Sequence, residues 1–393
     1  ALLAAREAEL LNLCENENAH ANVTRLFGCE EDATSFYLAQ ELCVASLADL
    51  VAAAREPSLH AGGGRRRALL PRLGLSPPPL QHPCLSAGAR SLVQQLLDGL
   101  AHLHRLDILH CKLRPSSVLV NQNGVVKLSG LGLGRLADAP LRGDSRQGSR
   151  DALAFDGFDP AESLQITMGG AAEQQTAESK KAADVFSAAV LIFWTLTLGR
   201  NPFGDEPSQR TAAILRGEPS ALPLLARLPE AQHLIGLMLG ATPAARLSAA
   251  QARRHPALWS DEERLLFVRC VSDDPALSDD RSDFVRALEA QAPTLFAGGD
   301  WTTAVHAELL ATLQGHRSYH GDCVRDLLRA VRNCDHLQGM PDDVQQLLLP
   351  RPAGIAAYFL PRYPALFWAL YKLVTRYWRA HAVFAPFFSW QAR

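Results

Sequence analysis

The chain alternates between segments with the helical spacing of apolar side chains and short apolar runs that are typical of strands. Residues 5–14 and 91–106 carry apolar side chains at intervals of three and four, which predicts two helices. From Val185 to the C-terminus the spacing is helical throughout. Four short runs in the first half predict β-strands instead: residues 22–27, 35–39, 118–120 and 125–128.

Turn-forming residues divide this first half. Residues 28–32 predict the turn of one hairpin, and residues 121–124 (Asn-Gln-Asn-Gly) predict the turn of a second. Residues 61–67 (Ala-Gly-Gly-Gly-Arg-Arg-Arg) and the prolines at 77–79 predict a disordered surface insertion near 60–80. No strand leads into these glycines and no Gly-x-Gly-x-x-Gly pattern opens a helix, so they do not form a phosphate-binding loop.

Composition is that of a soluble globular protein: 393 residues, of which 48% are hydrophobic and 20% charged. This length favours two domains. The net charge of -2 gives no overall attraction to nucleic acid, so any contact with RNA requires a local basic patch.

The eight cysteines show no Cys-x-x-Cys pair and no metal-ligand spacing. We therefore expect reduced thiols, with no disulfide and no structural zinc. The most apolar stretch, residues 185–198, is interrupted by Ser187, Thr195 and Thr197. It is shorter than the roughly 20 residues of a membrane-spanning helix, so it predicts a buried core helix.

A series of landmarks in order resembles the protein kinase fold. They are Glu41-Leu42-Cys43 at the hinge, His110, Leu113, Pro115, Gly132, Gly157, Glu162, Asp184, Pro202-Phe203-Gly204, Arg246 and His255-Pro256. The resemblance implies that Glu162 and Arg246 pair beneath the activation segment, and that Asp184 anchors the catalytic loop. We predict an α+β kinase-like domain over residues 1–257, followed by an all-α domain over residues 258–393.

The positions that carry kinase chemistry have changed. By register, Lys112 replaces the aspartate that accepts the substrate proton, Ser117 the metal-binding asparagine, and Gly130 the magnesium-binding aspartate. We therefore predict a pseudokinase. The sequence begins too late for a glycine-rich loop or its strand lysine, so we expect an incomplete N-lobe in which Glu7 has no partner.

A nucleotide is the one ligand that this domain still suggests. Adenine nucleotide, ATP or ADP, is a candidate ligand of the kinase-like cleft, held by the backbone of Glu41, Leu42 and Cys43.

Residues 324–333 predict an amphipathic helix. Its apolar residues fall at i, i+3, i+4 and i+7, which leaves Arg325, Arg329 and Arg332 on an exposed basic face suited to RNA phosphates. Cleavage of RNA without a metal needs a base for the 2′-hydroxyl, an acid for the leaving oxygen and a cation at the phosphate. Tyr319, His336 and Arg332 have these chemistries, although each residue type is also common in a purely structural role.

The C-terminal motifs resemble the kinase-extension nuclease (KEN) family, which includes the inositol-requiring enzyme of the unfolded protein response and ribonuclease L. They are Trp259-Ser260, Asp300-Trp301, Tyr319-His320-Gly321, residues 324–333, Tyr358-Phe359, Arg362-Tyr363-Pro364 and residues 384–388. Together with the kinase-like half, the resemblance covers nearly the whole chain. Residues 325–330 and 184–188 are more similar to the unfolded-protein-response sensor than to ribonuclease L.

The resemblance assigns roles by register. It implies that His336 is the general acid, that Tyr319 takes part in activating the 2′-hydroxyl, and that Arg332 and Asn333 hold phosphate and substrate. The products would carry a 2′,3′-cyclic phosphate, and no metal or other cofactor would be needed.

One departure from the family concerns the histidine. The family carries it four residues after the asparagine, whereas His336 lies three residues after Asn333. A one-residue deletion would place His336 in the catalytic position; otherwise that position is Leu337 and the site is inactive. Asp335 is a candidate for raising the pKa of the neighbouring imidazole.

Two functions therefore remain in view. In the first, the chain is an endoribonuclease of stem-loop RNA whose kinase-like half serves dimerisation, or higher assembly, and nucleotide sensing. In the second, an inactive pseudokinase and pseudonuclease scaffold regulates an active relative by dimerisation. The resemblance places this portion on the cytosolic face of the endoplasmic reticulum, with membrane attachment through segments outside this chain. Since Ala1 is not an initiator methionine, we expect a fragment.

Overall fold

The structure is a computed structural model, and it describes residues 2–16, 19–56, 64–76, 80, 84–133, 135–136, 157–167, 176–296, 298–315, 317–337 and 340–391. The chain folds as two compact units, Ala1–Leu258 and Trp259–Arg393. The first contains helices and strands. The described part of the second contains only α-helices and 3-10 turns, so the predicted α+β unit followed by an all-α unit is confirmed.

Helices dominate the first unit. They are α1 (Leu2–Asn16), α2 (Leu47–Arg55), α3 (Gly64–Arg72), α4 (Ala87–Arg105), α5 (Ala161–Thr167), α6 (Ala177–Leu196), α7 (Pro207–Arg216), α8 (Pro229–Met238) and α9 (Ala249–Arg253). The predicted helix at 91–106 is α4, capped by the Ser86 hydroxyl on the backbone of Ala89. The predicted core helix at 185–198 is the second half of α6, and Val190, Leu191 and Phe193 are completely or almost completely buried.

The strands of the described residues form three small antiparallel sheets. They are β1 (Leu26–Glu31), β2 (Phe36–Gln40), β3 (Ala45–Ser46), β4 (Ile108–Leu109), β5 (Val118–Val120), β6 (Val126–Leu128) and β7 (Arg135–Leu136). β1 pairs with β2, β5 lies between β3 and β6 and pairs with both, and β4 pairs with β7.

Both predicted hairpins form, with one correction. β5 and β6 flank the turn at 121–124 as predicted. The turn of the first hairpin is not at residues 28–32, because β1 continues through Glu31, which pairs with Phe36. The Asp32 carboxylate accepts hydrogen bonds from the N–H groups of Thr34 and Ser35, which fixes the reversal after β1.

The segment near 60–80 was predicted to be disordered, and its described part contradicts this. α3 begins at Gly64, buries Leu69 and Leu70, and packs against α2. Its leucines form an apolar face whose burial outweighs the low helix propensity of the flanking glycines. Residues 57–63, 77–79 and 81–83 lie outside the described residues.

The second unit is a helical domain around an aromatic core. Its helices are α10 (Asp261–Asp273), α11 (Asp283–Glu289), α12 (Ala292–Leu295), α13 (Ala307–Gln314), α14 (Val324–Asn333), α15 (Asp342–Leu347), α16 (Ala353–Phe359) and α17 (Leu366–Tyr377). Phe267 of α10 lies within 6 Å, between ring centroids, of Trp259, Phe367 and Tyr371. α10 packs against α14, α16 and α17 and thereby supports the helix that carries the arginines.

Across the described stretches, none of the helices combines the length and the apolar character needed to cross a lipid bilayer.

Candidate active site

α14 forms as the sequence predicts. Its four apolar positions, Val324, Leu327, Leu328 and Val331, are almost completely buried. The residue before the helix, Cys323, provides no side-chain cap. Glu289 of α11 caps the helix instead, because its carboxylate accepts hydrogen bonds from the N–H groups of Val324 (2.7 Å) and Arg325 (3.2 Å).

The arginines of α14 do not form the exposed basic face that helical spacing predicts. Each is engaged by a carboxylate of the same unit: Arg325 by Asp280 (2.6 Å) and Glu289 (2.9 Å), Arg329 by Asp326 (3.1 Å), and Arg332 by Asp273 (3.1 Å). The side chains of Arg325 and Arg329 are only 19% and 18% exposed. The basic face is therefore not free as predicted: acids outside α14 pair with Arg325 and Arg332, and Asp326 of α14 itself pairs with Arg329.

Arg332, Asn333 and Tyr319 are brought together in one hydrogen-bonded chain. The Asn333 amide donates to the Tyr319 hydroxyl at 2.8 Å, and its carbonyl oxygen accepts from Arg332 Nε and Nη2 at 3.3 and 3.2 Å. Burial raises the pKa of the Tyr319 phenol above its usual value, although the hydrogen bond from Asn333 opposes this. Tyr319 is therefore a neutral phenol near pH 7.

A second set of contacts fixes the backbone that carries Tyr319. The indole of Trp301 donates to the carbonyl of His320 at 2.9 Å, and its ring lies edge-on to Tyr319 with centroids 6.1 Å apart. The buried Asp326 carboxylate accepts from the N–H of His320 at 2.9 Å. The sequence did not predict these roles of Trp301 and Asp326, although Asp300-Trp301 is one of the motifs that resemble the nuclease family.

His336 lies in the turn that follows α14, where its N–H donates to the carbonyl of Asn333 at 3.1 Å. Its side chain is exposed and makes no hydrogen bond or ion pair with another described residue. Leu337 is buried, with 8% of its surface exposed. The Asp335 carboxylate pairs with Arg269, so the expected influence of Asp335 on the histidine is not supported by a contact.

The scaffold of the kinase-like unit matches its predicted roles. Arg246 holds Glu162 through two hydrogen bonds of 2.5 and 3.0 Å. The buried Asp184 carboxylate accepts from the N–H groups of His110 (2.8 Å) and Cys111 (2.9 Å). The structure thus keeps the catalytic-loop framework.

Lys112, Ser117 and Gly130 lie together along one cleft. The Ser117 hydroxyl is used within the loop, since it accepts from the N–H of Arg114 at 2.9 Å. Glu7 has partners, contrary to expectation: its carboxylate accepts from the N–H of Gly130 (3.1 Å) and from the Gln40 amide (3.2 Å).

The predicted hinge follows β2. The Glu41 carboxylate pairs with Lys127 at 2.6 Å, and the backbone N–H of Glu41 donates to the carbonyl of Arg25. Leu42 is 89% exposed. The predicted adenine contact through residues 41–43 therefore cannot use the Glu41 N–H without breaking a backbone hydrogen bond.

No three His, Cys, Asp or Glu side chains of the described residues converge closely enough to hold a metal ion.

Comparison with known families agrees with this architecture. A protein kinase domain model matches residues 3–258, and a ribonuclease 2-5A model matches residues 264–388. One similar protein is the serine/threonine-protein kinase/endoribonuclease IRE1 of Oryza sativa subsp. japonica, 30% identical over 389 residues, which cover 98% of this chain and 40% of the relative. Another is IRE2 of Homo sapiens, 33% identical over 399 residues, with 98% and 38% covered.

A third relative is the sensor for unfolded proteins in the ER, ire1, of Schizosaccharomyces pombe, 28% identical over 399 residues, with 95% of this chain and 34% of the relative covered. The chain spans less than half of the length of these three relatives.

The fold and the site define a kinase-like domain joined to a helical ribonuclease domain. The chain belongs to the protein kinase domain family, and it matches the kinase-plus-ribonuclease region of its IRE1 relatives. The predicted family is confirmed.

Proposed function

We propose that this chain is a metal-independent endoribonuclease of the unfolded protein response, which cleaves stem-loop RNA and leaves a 2′,3′-cyclic phosphate. The observation that carries the proposal is the chain of hydrogen bonds from Arg332 through Asn333 to Tyr319, within a domain that matches the ribonuclease 2-5A model. The relatives named kinase/endoribonuclease support the same activity.

The geometry favours distinct roles for these groups. Attack of the 2′-oxygen, whose proton passes to solvent water, forms a bond to phosphorus while the bond to the 5′-oxygen breaks, which yields the cyclic phosphate and a 5′-hydroxyl. Arg332 supplies positive charge to the phosphate, and RNA displaces Asp273 from it, because an exposed ion pair contributes little free energy. His336 gives a proton to the leaving 5′-oxygen. Its exposure, beside the buried Leu337, favours His336 over residue 337 as this acid.

Tyr319 acts here as a hydrogen-bond donor and not as a phenolate base. Its oxygen accepts from Asn333, which leaves the phenolic proton to donate to substrate. Burial raises the pKa of Tyr319, which disfavours the phenolate that proton abstraction would require. This revises the role in activating the 2′-hydroxyl that the family resemblance implied.

The kinase-like unit is proposed to be inactive in phosphoryl transfer, although the relatives are named as kinases. Lys112 is a cation where a carboxylate base belongs, and neither Gly130 nor the internally bonded Ser117 replaces a metal-binding side chain. We assign this unit to dimerisation and nucleotide sensing on the cytosolic face of the endoplasmic reticulum. Absence of phosphate transfer from labelled ATP to the chain or a basic protein is the expected result.

The decisive experiment measures cleavage of a fluorescently labelled stem-loop RNA by the chain in EDTA. His336→Ala is compared with His306→Ala, which removes an exposed histidine from the same unit. We expect His336→Ala to lose activity about a hundredfold or more, and His306→Ala to retain it. No cleavage by the unaltered chain, in a sample that contains dimers, would favour the pseudokinase and pseudonuclease scaffold.

A further inference from the structure

The imidazole of His336 depends on its backbone for its position. It is exposed and makes no hydrogen bond or ion pair with another described residue. The turn at residues 334–337 therefore sets where His336 lies relative to Tyr319 and Arg332. A general acid must come within about 3 Å of the atom that it protonates, and a misplacement of about 1 Å can lower the rate a hundredfold. Whatever fixes this turn also controls the use of His336 as an acid.

Arg351 bridges the turn across His336. It lies between α15 and α16, and its Nη1 donates to the carbonyl of Asp335 at 2.6 Å. Its Nη2 donates to the carbonyl of Leu337 at 3.3 Å. These two residues flank His336 on either side. Because the donors of a guanidinium have a fixed planar geometry, one side chain holds both carbonyls and so fixes the backbone between them.

The guanidinium of Arg351 is committed to this turn. Its Nε is buried, and no carboxylate of the described residues pairs with it. A cation that is withdrawn from water normally pairs with an acid, whereas this one is used on two backbone carbonyls. α16, which follows Arg351 directly, packs against α10. The turn is therefore tied to the packed helices of the unit.

Three further contacts hold the same turn. The Asp335 carboxylate pairs with Arg269 of α10, the side chain of Leu337 is buried, and the N–H of His336 donates to the carbonyl of Asn333 at 3.1 Å. The backbone is thus held before, at and after His336. None of these contacts uses the imidazole, which stays available to a substrate.

We propose that Arg351, assisted by Arg269, is a positioning residue that holds His336 where it protonates the leaving 5′-oxygen. The inference rests on the proposed function, RNA cleavage with His336 as the acid. It gives a physical reason why a histidine only three residues after Asn333 serves, since the fixed turn sets its position. Arg351 acts on the protonation step alone, so its loss should lower kcat and leave KM for RNA almost unchanged.

The test compares two stem-loop RNAs, cleaved by the whole chain in EDTA. The second, the 5′-thio RNA, carries sulfur in place of the 5′-oxygen at the linkage that the chain cleaves. A thiolate leaves without being protonated, because a thiol is a far stronger acid than an alcohol. Arg351→Met, which removes the donors and keeps a long side chain, should lower kcat about 10- to 100-fold on ordinary RNA and by less than about threefold on 5′-thio RNA.

Four other variants accompany Arg351→Met. His336→Ala should show the same pattern with a loss of about a hundredfold or more on ordinary RNA, and Arg269→Ala the same pattern with a smaller loss. Arg351→Lys keeps the charge and should recover part of the rate. Arg286→Ala is the matched control, because it removes an exposed arginine of the same unit that pairs only with Asp283 among the described residues. Both of its rates should be unchanged.

The ratio of the two rates is measured within one sample, so it does not depend on the fraction of chains that are folded. Equal slowing of Arg351→Met on both RNAs would show a merely structural role and overturn the proposal. Full activity of Arg351→Met on ordinary RNA would also overturn it, while the proposed nuclease function would stand. Cleavage of neither RNA by the unaltered chain would overturn the proposed function and this inference with it.

Discussion

The contact between Asn333 and Tyr319 leads to a quantitative prediction for RNA cleavage. Asn333→Ala removes a neutral hydrogen bond to Tyr319 and the shared acceptor for Arg332. A neutral hydrogen bond contributes about 0.5–1.5 kcal/mol and one to a charged group about 1.5–3 kcal/mol. If both act in the transition state, the loss is about 2–4 kcal/mol, or roughly 30- to 1000-fold in kcat/KM.

The assay is cleavage of labelled stem-loop RNA in EDTA by Asn333→Ala, Tyr319→Phe and the double variant. Because the two side chains are in contact at 2.8 Å, we expect a coupling free energy of about 1 kcal/mol. Thermal unfolding should change little, since Asn333 is half-buried at the end of α14. Activity of Asn333→Ala within about threefold of the unaltered chain, or additivity of the two substitutions within about 0.3 kcal/mol, would refute the reasoning.

Three further predictions concern charge and packing. Asp273→Asn frees Arg332 from an exposed ion pair, so RNA affinity should rise about two- to fivefold at low salt, and the gain should shrink in a filter-binding assay at high salt. Burial alone raises the pKa of Asp184, but hydrogen bonds from His104 and the N–H of His110 outweigh it and lower this pKa. The ionised Asp184 carboxylate therefore stabilises the fold at any pH above its pKa in the unfolded chain, and this stabilisation is lost as the pH falls through its lower pKa in the folded chain. The difference in melting temperature between the unaltered chain and Asp184→Asn should therefore become smaller in acid. Leu328→Ala should lower the free energy of unfolding by about 2–5 kcal/mol in urea denaturation, because Leu328 is fully buried.

The sequence alone was sufficient where a feature depends on neighbours along the chain. The buried stripe of α14 follows from residues three and four apart, and the hairpin of β5 and β6 follows from two apolar runs around Asn-Gln-Asn-Gly. Lys112, Ser117 and Gly130 were identified as the positions of the kinase catalytic residues by their order among the kinase-like motifs of the sequence. Each of these inferences needs only spacing, because helix and strand periodicity are local properties of the backbone.

Local patterns were less reliable where packing competes with propensity. Glycines and arginines near residue 64 suggested disorder, but leucines later in α3 find an apolar surface on α2 and the helix forms. The residues at 28–32 suggested a turn, but strand pairing extends to Glu31 and the Asp32 carboxylate moves the reversal onward. Tertiary burial and side-chain hydrogen bonds decided both cases.

The sequence by itself determined the two-unit plan, the family and the chemical groups available for RNA cleavage. Only the tertiary structure decided how those groups are used. Arg325 and Arg332 meet acids 36 to 59 positions away, and Tyr319 meets Asn333 across 14 positions. Helical spacing shows which way an arginine faces along its own helix. It carries no information about which carboxylate another helix brings against that face, because that depends on how the helices pack.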